Sequence, residues 1–110
     1  MYKIVTMAPE QSVGNLINAM AQAGAGTIGA YTHCAYITHG TGNWYSGEGS
    51  HPTLGEVGKM SQESEEKIEM LVPDDKVDIV VQAIYKTHPY ETPEIDIYQL
   101  VPTPARHTIG

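Results

Sequence analysis

The sequence predicts an α+β fold, a ferredoxin-like β-α-β-β-α-β sandwich in which the hairpin between the second and third strands is elaborated and rich in glycine. Three observations predict it. Short β-branched runs alternate with two segments whose apolar residues recur at helical spacing, so strands and helices interleave in the order of a split β-α-β pair. Every glycine except Gly14 and Gly110 falls between Gly24 and Gly58, together with the only Trp, the only Cys, His33, His39 and His51. A length of 110 residues with 41% apolar and 17% charged content suits one domain over residues 1–110.

Residues 2–7 open the chain as a strand with a β-branched centre of Ile4, Val5 and Thr6. Pro9 suits an early helical position, where a missing N–H costs nothing. Val13, Leu16, Ile17 and Met20 then form an amphipathic stripe that Gly24 ends. Residues 30–38, rich in Tyr, Thr and Ile and bounded by glycines, predict a second strand with Tyr31, His33, Ala35 and Ile37 on one face. Gly40-Thr41-Gly42 predicts a turn, and residues 43–46 extend a ribbon beyond it. Residues 63–72 predict the third strand, with Ile68, Met70 and Val72 on one face and Lys67 and Glu69 on the other. Pro73-Asp74-Asp75 predicts a second helix capped by Asp74, with Val77, Val80, Val81, Ile84 and Tyr85 as its apolar stripe. His88-Pro89 stops it, because the residue before a proline is pushed out of the α region. Residues 95–101 are the predicted last strand, and Pro102 and Pro104 mark a tail. This topology brings residues 40–52 and 88–93 to the same end of the sheet, facing each other.

Charge and cysteine usage exclude several classes. The net charge is −7, thirteen acids against six Lys and Arg, and no basic stripe is present, which argues against nucleic acid as a partner. A single Cys rules out an intramolecular disulfide scaffold. No signal-like or membrane-length apolar run occurs, so a soluble cytoplasmic protein that does not enter a membrane is expected. Seven Tyr and no Phe keep hydroxyls at the edges of the packing, which suits contacts between copies of the chain.

Four runs carry a resemblance: G-A-G-T-I-G-A-Y at 24–31, G-T-G-N-W at 40–44, G-E-G-S-H-P at 47–52 and H-P-Y-E-T-P-E-I-D-I-Y at 88–98. In this order, over nearly the whole chain, they resemble the small domain inserted in bacterial Nif-three-like (YqfO-type) dimetal-binding proteins. The resemblance implies a CutA/PII-like fold and a stand-alone form of that domain. It also implies a homo-oligomer, a trimer before a dimer. In the long family members two metals are held by flanking segments that this chain lacks, so the dimetal site and the hydrolase activities tied to it do not transfer. Thr92 stands where the family more usually has a second acid after H-P-Y-E. The closing run 106–110 falls about where the long form would return to its metal domain.

The candidate chemistry lies at the glycine-rich end. His39, His51, His88 and Glu91 are the candidate metal ligands, because imidazole and carboxylate together suit a divalent transition metal and an acidic surface attracts cations. Gly40, Gly42, Gly47, Glu48, His88 and Glu91 are the candidate ligand-binding residues. The structural reading of the same residues has His88 and Glu91 holding the helix end and its turn, with His39 and His51 in surface loops, and it is the favoured one. Cys34, central in a predicted strand, reads as a buried and inert thiol. Gly24, Gly26 and Gly29 have dinucleotide-fingerprint spacing but follow a helix and precede a strand, the reverse of the required context. Glycines near Gly40 and Gly47 suit an anion nest, yet residues 40–52 hold no Lys or Arg to support a phosphate. The leading expectation is a non-catalytic sensory or interaction domain that oligomerises through its sheet and binds a small ligand or metal. The rival is a small metal-dependent hydrolase using the His and Glu cluster.

Overall fold

The computed structural model describes residues 1–108; Ile109 and Gly110, the last two residues of the closing run, lie outside the described residues. The β-branched opening forms β1 (Tyr2–Ala8), and Pro9 leads through a 3-10 turn at Glu10–Ser12 into α1 (Val13–Gln22). Leu16 and Met20 are the buried residues of that helix, with Val13 and Ile17 packed beside them. A ten-residue strand, β2 (Tyr36–Tyr45), and a thirteen-residue strand, β3 (Met60–Val72), make the long hairpin. A 3-10 turn at Asp74–Lys76 leads into α2 (Val77–Thr87), and β4 (Ile95–Gln99) closes the fold.

All neighbouring strands are antiparallel, in the order β2-β3-β1-β4, which is the ferredoxin-like arrangement expected from the element order. Ile4 and Ala8 of β1 and Ile68, Met70 and Val72 of β3 share the face that meets Leu16 and Met20 of α1 and Val80 and Ile84 of α2. Both helices therefore cover one face. The opposite face carries Met7, Glu65, Lys67, Glu69, Asp96 and Tyr98, by the alternation of side chains along paired strands.

Several expectations need correction. The second strand begins at Tyr36, not Ala30, because His33 has φ 59°, a left-handed conformation that no ladder accommodates. Residues 28–31 instead fold back on themselves, Ile28 and Tyr31 exchanging both backbone hydrogen bonds. Cys34 consequently sits half-buried in a loop, its Sγ 3.9 Å from the Thr32 carbonyl, and not inside a strand. Gly40, Thr41 and Gly42 do not turn the chain: they pair with Glu65, Ser64 and Glu63 in regular register. An anion nest at Gly40 is thereby replaced by extended backbone. Asp74 caps no helix; it binds the N-terminal amine, while the 3-10 turn carries the chain into α2. Tyr85 lies at the rim of the α2 stripe and is 57% exposed, so it belongs to the surface.

Gly26 shows what the first glycine run does. It has φ 78°, donates its N–H to Leu71 and accepts one from Cys34, and a Cβ there would sit 2.6 Å from the Met70 methyl. Only glycine allows the chain to cross β3 this closely.

Candidate functional site

The site grows from the way the segment after α2 is anchored. His88 ends that helix in extended conformation, φ −67° and ψ 134°, as a residue before proline must. Its ring turns inward and is buried. Nδ1 accepts the Tyr90 N–H at 3.1 Å, so the proton lies on Nε2, which donates to the Met7 carbonyl at 2.7 Å. Burial pushes the His88 pKa below its ordinary 6.5, against smaller opposing effects of the Met7 carbonyl and the Glu65 charge. Thr6 adds a second anchor by donating from its buried hydroxyl to the Glu94 carbonyl at 2.7 Å.

Tyr90 then projects over the helix-free face. Its hydroxyl donates to Glu65 Oε2 at 2.7 Å, and burial, followed by that bond and the nearby carboxylate charges, holds it protonated well above the ordinary phenol range. The ring is tilted 50° to Trp44 with 6.0 Å between centroids, and it lies 5.0 Å from the His88 ring. Glu65 reaches Tyr90 because Gly42 leaves the space: a Cβ on Gly42 would stand 2.0 Å from Glu65 Oε1. A glycine inside a strand is here a seat for a carboxylate.

The loop 47–58 docks on this turn from the other side. Thr53 donates from its hydroxyl to the Pro89 carbonyl at 2.7 Å. Glu91 receives the His51 backbone N–H at 3.3 Å and the ring Nδ1 at 2.7 Å. Between loop and turn lies a cleft of about 310 Å³ with Met7, Gly42 and Glu65 at its sheet side and Trp44, Leu54 and Tyr90 among its walls. Glu94 borders it, and a hydrogen bond shared with Asp96 holds the Glu94 carboxyl above the usual 4.5, with the Asp96 charge, burial and the Glu65 charge acting in the same direction.

Of the residues singled out from sequence, Gly42, His51 and Glu91 line the cleft; Gly40, Gly47, Glu48, His39 and His88 do not. His51 and Glu91 are brought together, and His88 is committed to backbone on both ring nitrogens. His39 pairs across the ladder with Glu66, Nδ1 to Oε1 at 2.5 Å. Among the described residues no three His, Cys, Asp or Glu side chains converge as a metal site. Trp44, Glu65, Tyr90 and Glu94 were not singled out. The recoverable signal was Gly42, whose diagonal neighbour across the hairpin is Glu65.

The sheet order, the two helices on one face and the long hairpin define an α+β domain of the CutA/PII-like fold. CutA1 from Pyrococcus horikoshii superposes with a TM-score of 0.71 over 94% of this chain and 87% of its own, at 14% identity. A Bacillus cereus protein related to NIF3 superposes with a TM-score of 0.78 at 32% identity, over 90% of this chain and 25% of that one. In sequence, the chain is 35% identical over 108 residues to a GTP cyclohydrolase 1 type 2 homolog of Mycobacterium leprae. That alignment takes in 98% of this chain and 28% of the relative, so the chain corresponds to little more than a quarter of it. No protein-family model matches the chain.

Proposed function

We propose that this chain is a non-catalytic regulatory or interaction domain of the Nif-three-like kind. It binds a small ligand or a divalent transition metal at the glycine-rich end and associates with copies of itself through its sheet. The observation that carries the reading is the docking of loop 47–58 on the turn after α2, which builds a cleft walled by two aromatic rings and several carboxylates. The groups suited to proton transfer are already engaged: His88 holds backbone, Tyr90 holds Glu65, and His51 holds Glu91. With Glu91 on Nδ1, His51 presents Nε2 to solvent, the orientation in which an imidazole oriented by a carboxylate takes a metal. Self-association is supported by β2, an edge strand with Tyr36 and Tyr45 exposed and its outer backbone unpaired within the sheet. A trimer is favoured over a dimer.

Calorimetry with Zn²⁺, Mn²⁺ and Ni²⁺, beside thermal melts with the same ions, tests the metal part: binding raises the melting temperature, and the rise shrinks at lower pH, because a protonated imidazole cannot coordinate. Light scattering tests assembly. Only monomer at micromolar concentration removes the association.

A further inference from the structure

The cleft lining specifies a charge. It contains the carboxylates Glu65, Glu91 and Glu94, the rings of Trp44 and Tyr90, the apolar Pro52 and Leu54, and neither Lys nor Arg. We propose that the cleft takes a small organic cation, an aliphatic ammonium or guanidinium compound, whose charged head lies beside Glu65 and Glu94 and whose carbon body lies against Trp44, Tyr90 and Leu54. This rests on the ligand-binding reading above and narrows it to one sign of charge and one kind of shape.

Several features support it. Ring faces attract cations within about 6 Å and repel anions, and the tilted Trp44–Tyr90 pair makes a corner with two such faces. Glu65 is fixed in place before any ligand arrives, by the Tyr90 hydroxyl on one oxygen and the space over Gly42 for the other. Its charge also reaches Glu94, which sits beside Asp96, so a cation entering there relieves mutual repulsion among carboxylates. Ser46, in the same lining, is 3% exposed and its hydroxyl has no hydrogen-bond partner among the described residues, which leaves an acceptor for a ligand N–H. A volume of about 310 Å³ suits a short aliphatic chain. The carboxylates are distributed around the aromatic corner, an arrangement suited to an elongated cation; a bare metal ion calls for three or four ligands on one point.

Trp44 is the only tryptophan, so its fluorescence reports on the cleft directly. The protein is titrated with agmatine and with cadaverine, and separately with ATP and with Zn²⁺. The expected result is a saturable change in Trp44 emission with agmatine or cadaverine that weakens at high salt. In Glu65→Gln, which keeps an oxygen for the Tyr90 hydroxyl, the affinity falls by about tenfold or more, as loss of a charged hydrogen bond implies. Glu94→Gln, at an exposed position, gives a similar fall and carries the test if Glu65→Gln does not fold. No response to either amine at millimolar concentration, with a response to Zn²⁺ or ATP, overturns the organic-cation inference and leaves ligand binding standing. No response to any of the four overturns both. Equal amine affinity in the wild type and both variants marks nonspecific charge attraction and also overturns it.

Discussion

The two ends of the same sheet are held together by different physics. At one end β1 and β3 lie under both helices, and Ile4, Leu16, Met20, Ile68, Met70, Val72, Val80 and Ile84 are sealed from water. At the other end β2 and β3 run on as a ribbon, where the chain is kept in place by single polar contacts: Tyr90 on Glu65, His51 on Glu91, Thr53 on Pro89. Apolar burial is non-directional and tolerates no hole, whereas polar latches are local and separable. The comparison teaches that the scaffold end sets stability and the ribbon end can change its contacts without unfolding the domain.

Mutations sharpen or break that contrast. Ile68→Ala, in the sealed half, should lower unfolding free energy by about 2–5 kcal/mol in a urea titration, through lost burial and a residual cavity. His88→Ala, at the boundary between the halves, removes two buried hydrogen bonds and should cost about 1–3 kcal/mol. It should also change the pH profile. Because burial lowers the folded pKa of His88, its contribution is intact above 6.5 and is lost as pH falls through the lowered folded value. The wild type should therefore lose stability over that window, and melts of the variant should lack this component.

Further out, Gly42→Ala forces Glu65 off its seat and should cost about 1 kcal/mol through the Tyr90 bond. Gly40→Ala, whose added Cβ meets no atom closer than 4.0 Å, should stay within about 0.5 kcal/mol of wild type. Equal effects at the two glycines in paired denaturation curves would break the account of Gly42. The smallest effect belongs to His51→Ala. That pair is largely exposed, so global stability should move by less than about 1 kcal/mol, while hydrogen exchange in loop 47–58 should speed up. Unchanged exchange would show that His51 is no latch.

The difference between the halves also explains what could be read from sequence. Ile68, Met70 and Val72, and Leu16 and Met20, declare themselves because burial imposes a period, and periodicity is visible without coordinates. His88-Pro89 likewise declares a helix stop. The target of the His88 ring does not, since the Met7 carbonyl lies 81 residues back. Gly40 and Gly42 look like turn residues until register places Glu65 diagonally across from Gly42, and register is a property of two strands. Glu66 breaks the apolar pattern of β3, facing the core side at 5% exposure with His39 on one oxygen and no partner for the other among the described residues. Polar latches depend on pairs distant in sequence. The element order and sheet topology were therefore legible, and little of the cleft was.

The pairing of the first and last strands has a consequence for how such a domain fits into larger architecture. Tyr2 and Gln99 are direct partners across β1 and β4, and the Leu100 N–H donates to the Met1 carbonyl at 3.0 Å. The two ends of the folded unit are thus one strand spacing apart, about 5 Å. A host protein could carry this unit on a loop by parting its own chain by no more than a tight turn already spans. Spliced in that way, the domain would stand off the host like a bracket on a single bolt, with the cleft at the far end of its ribbon free to meet whatever the host's own surface does not reach.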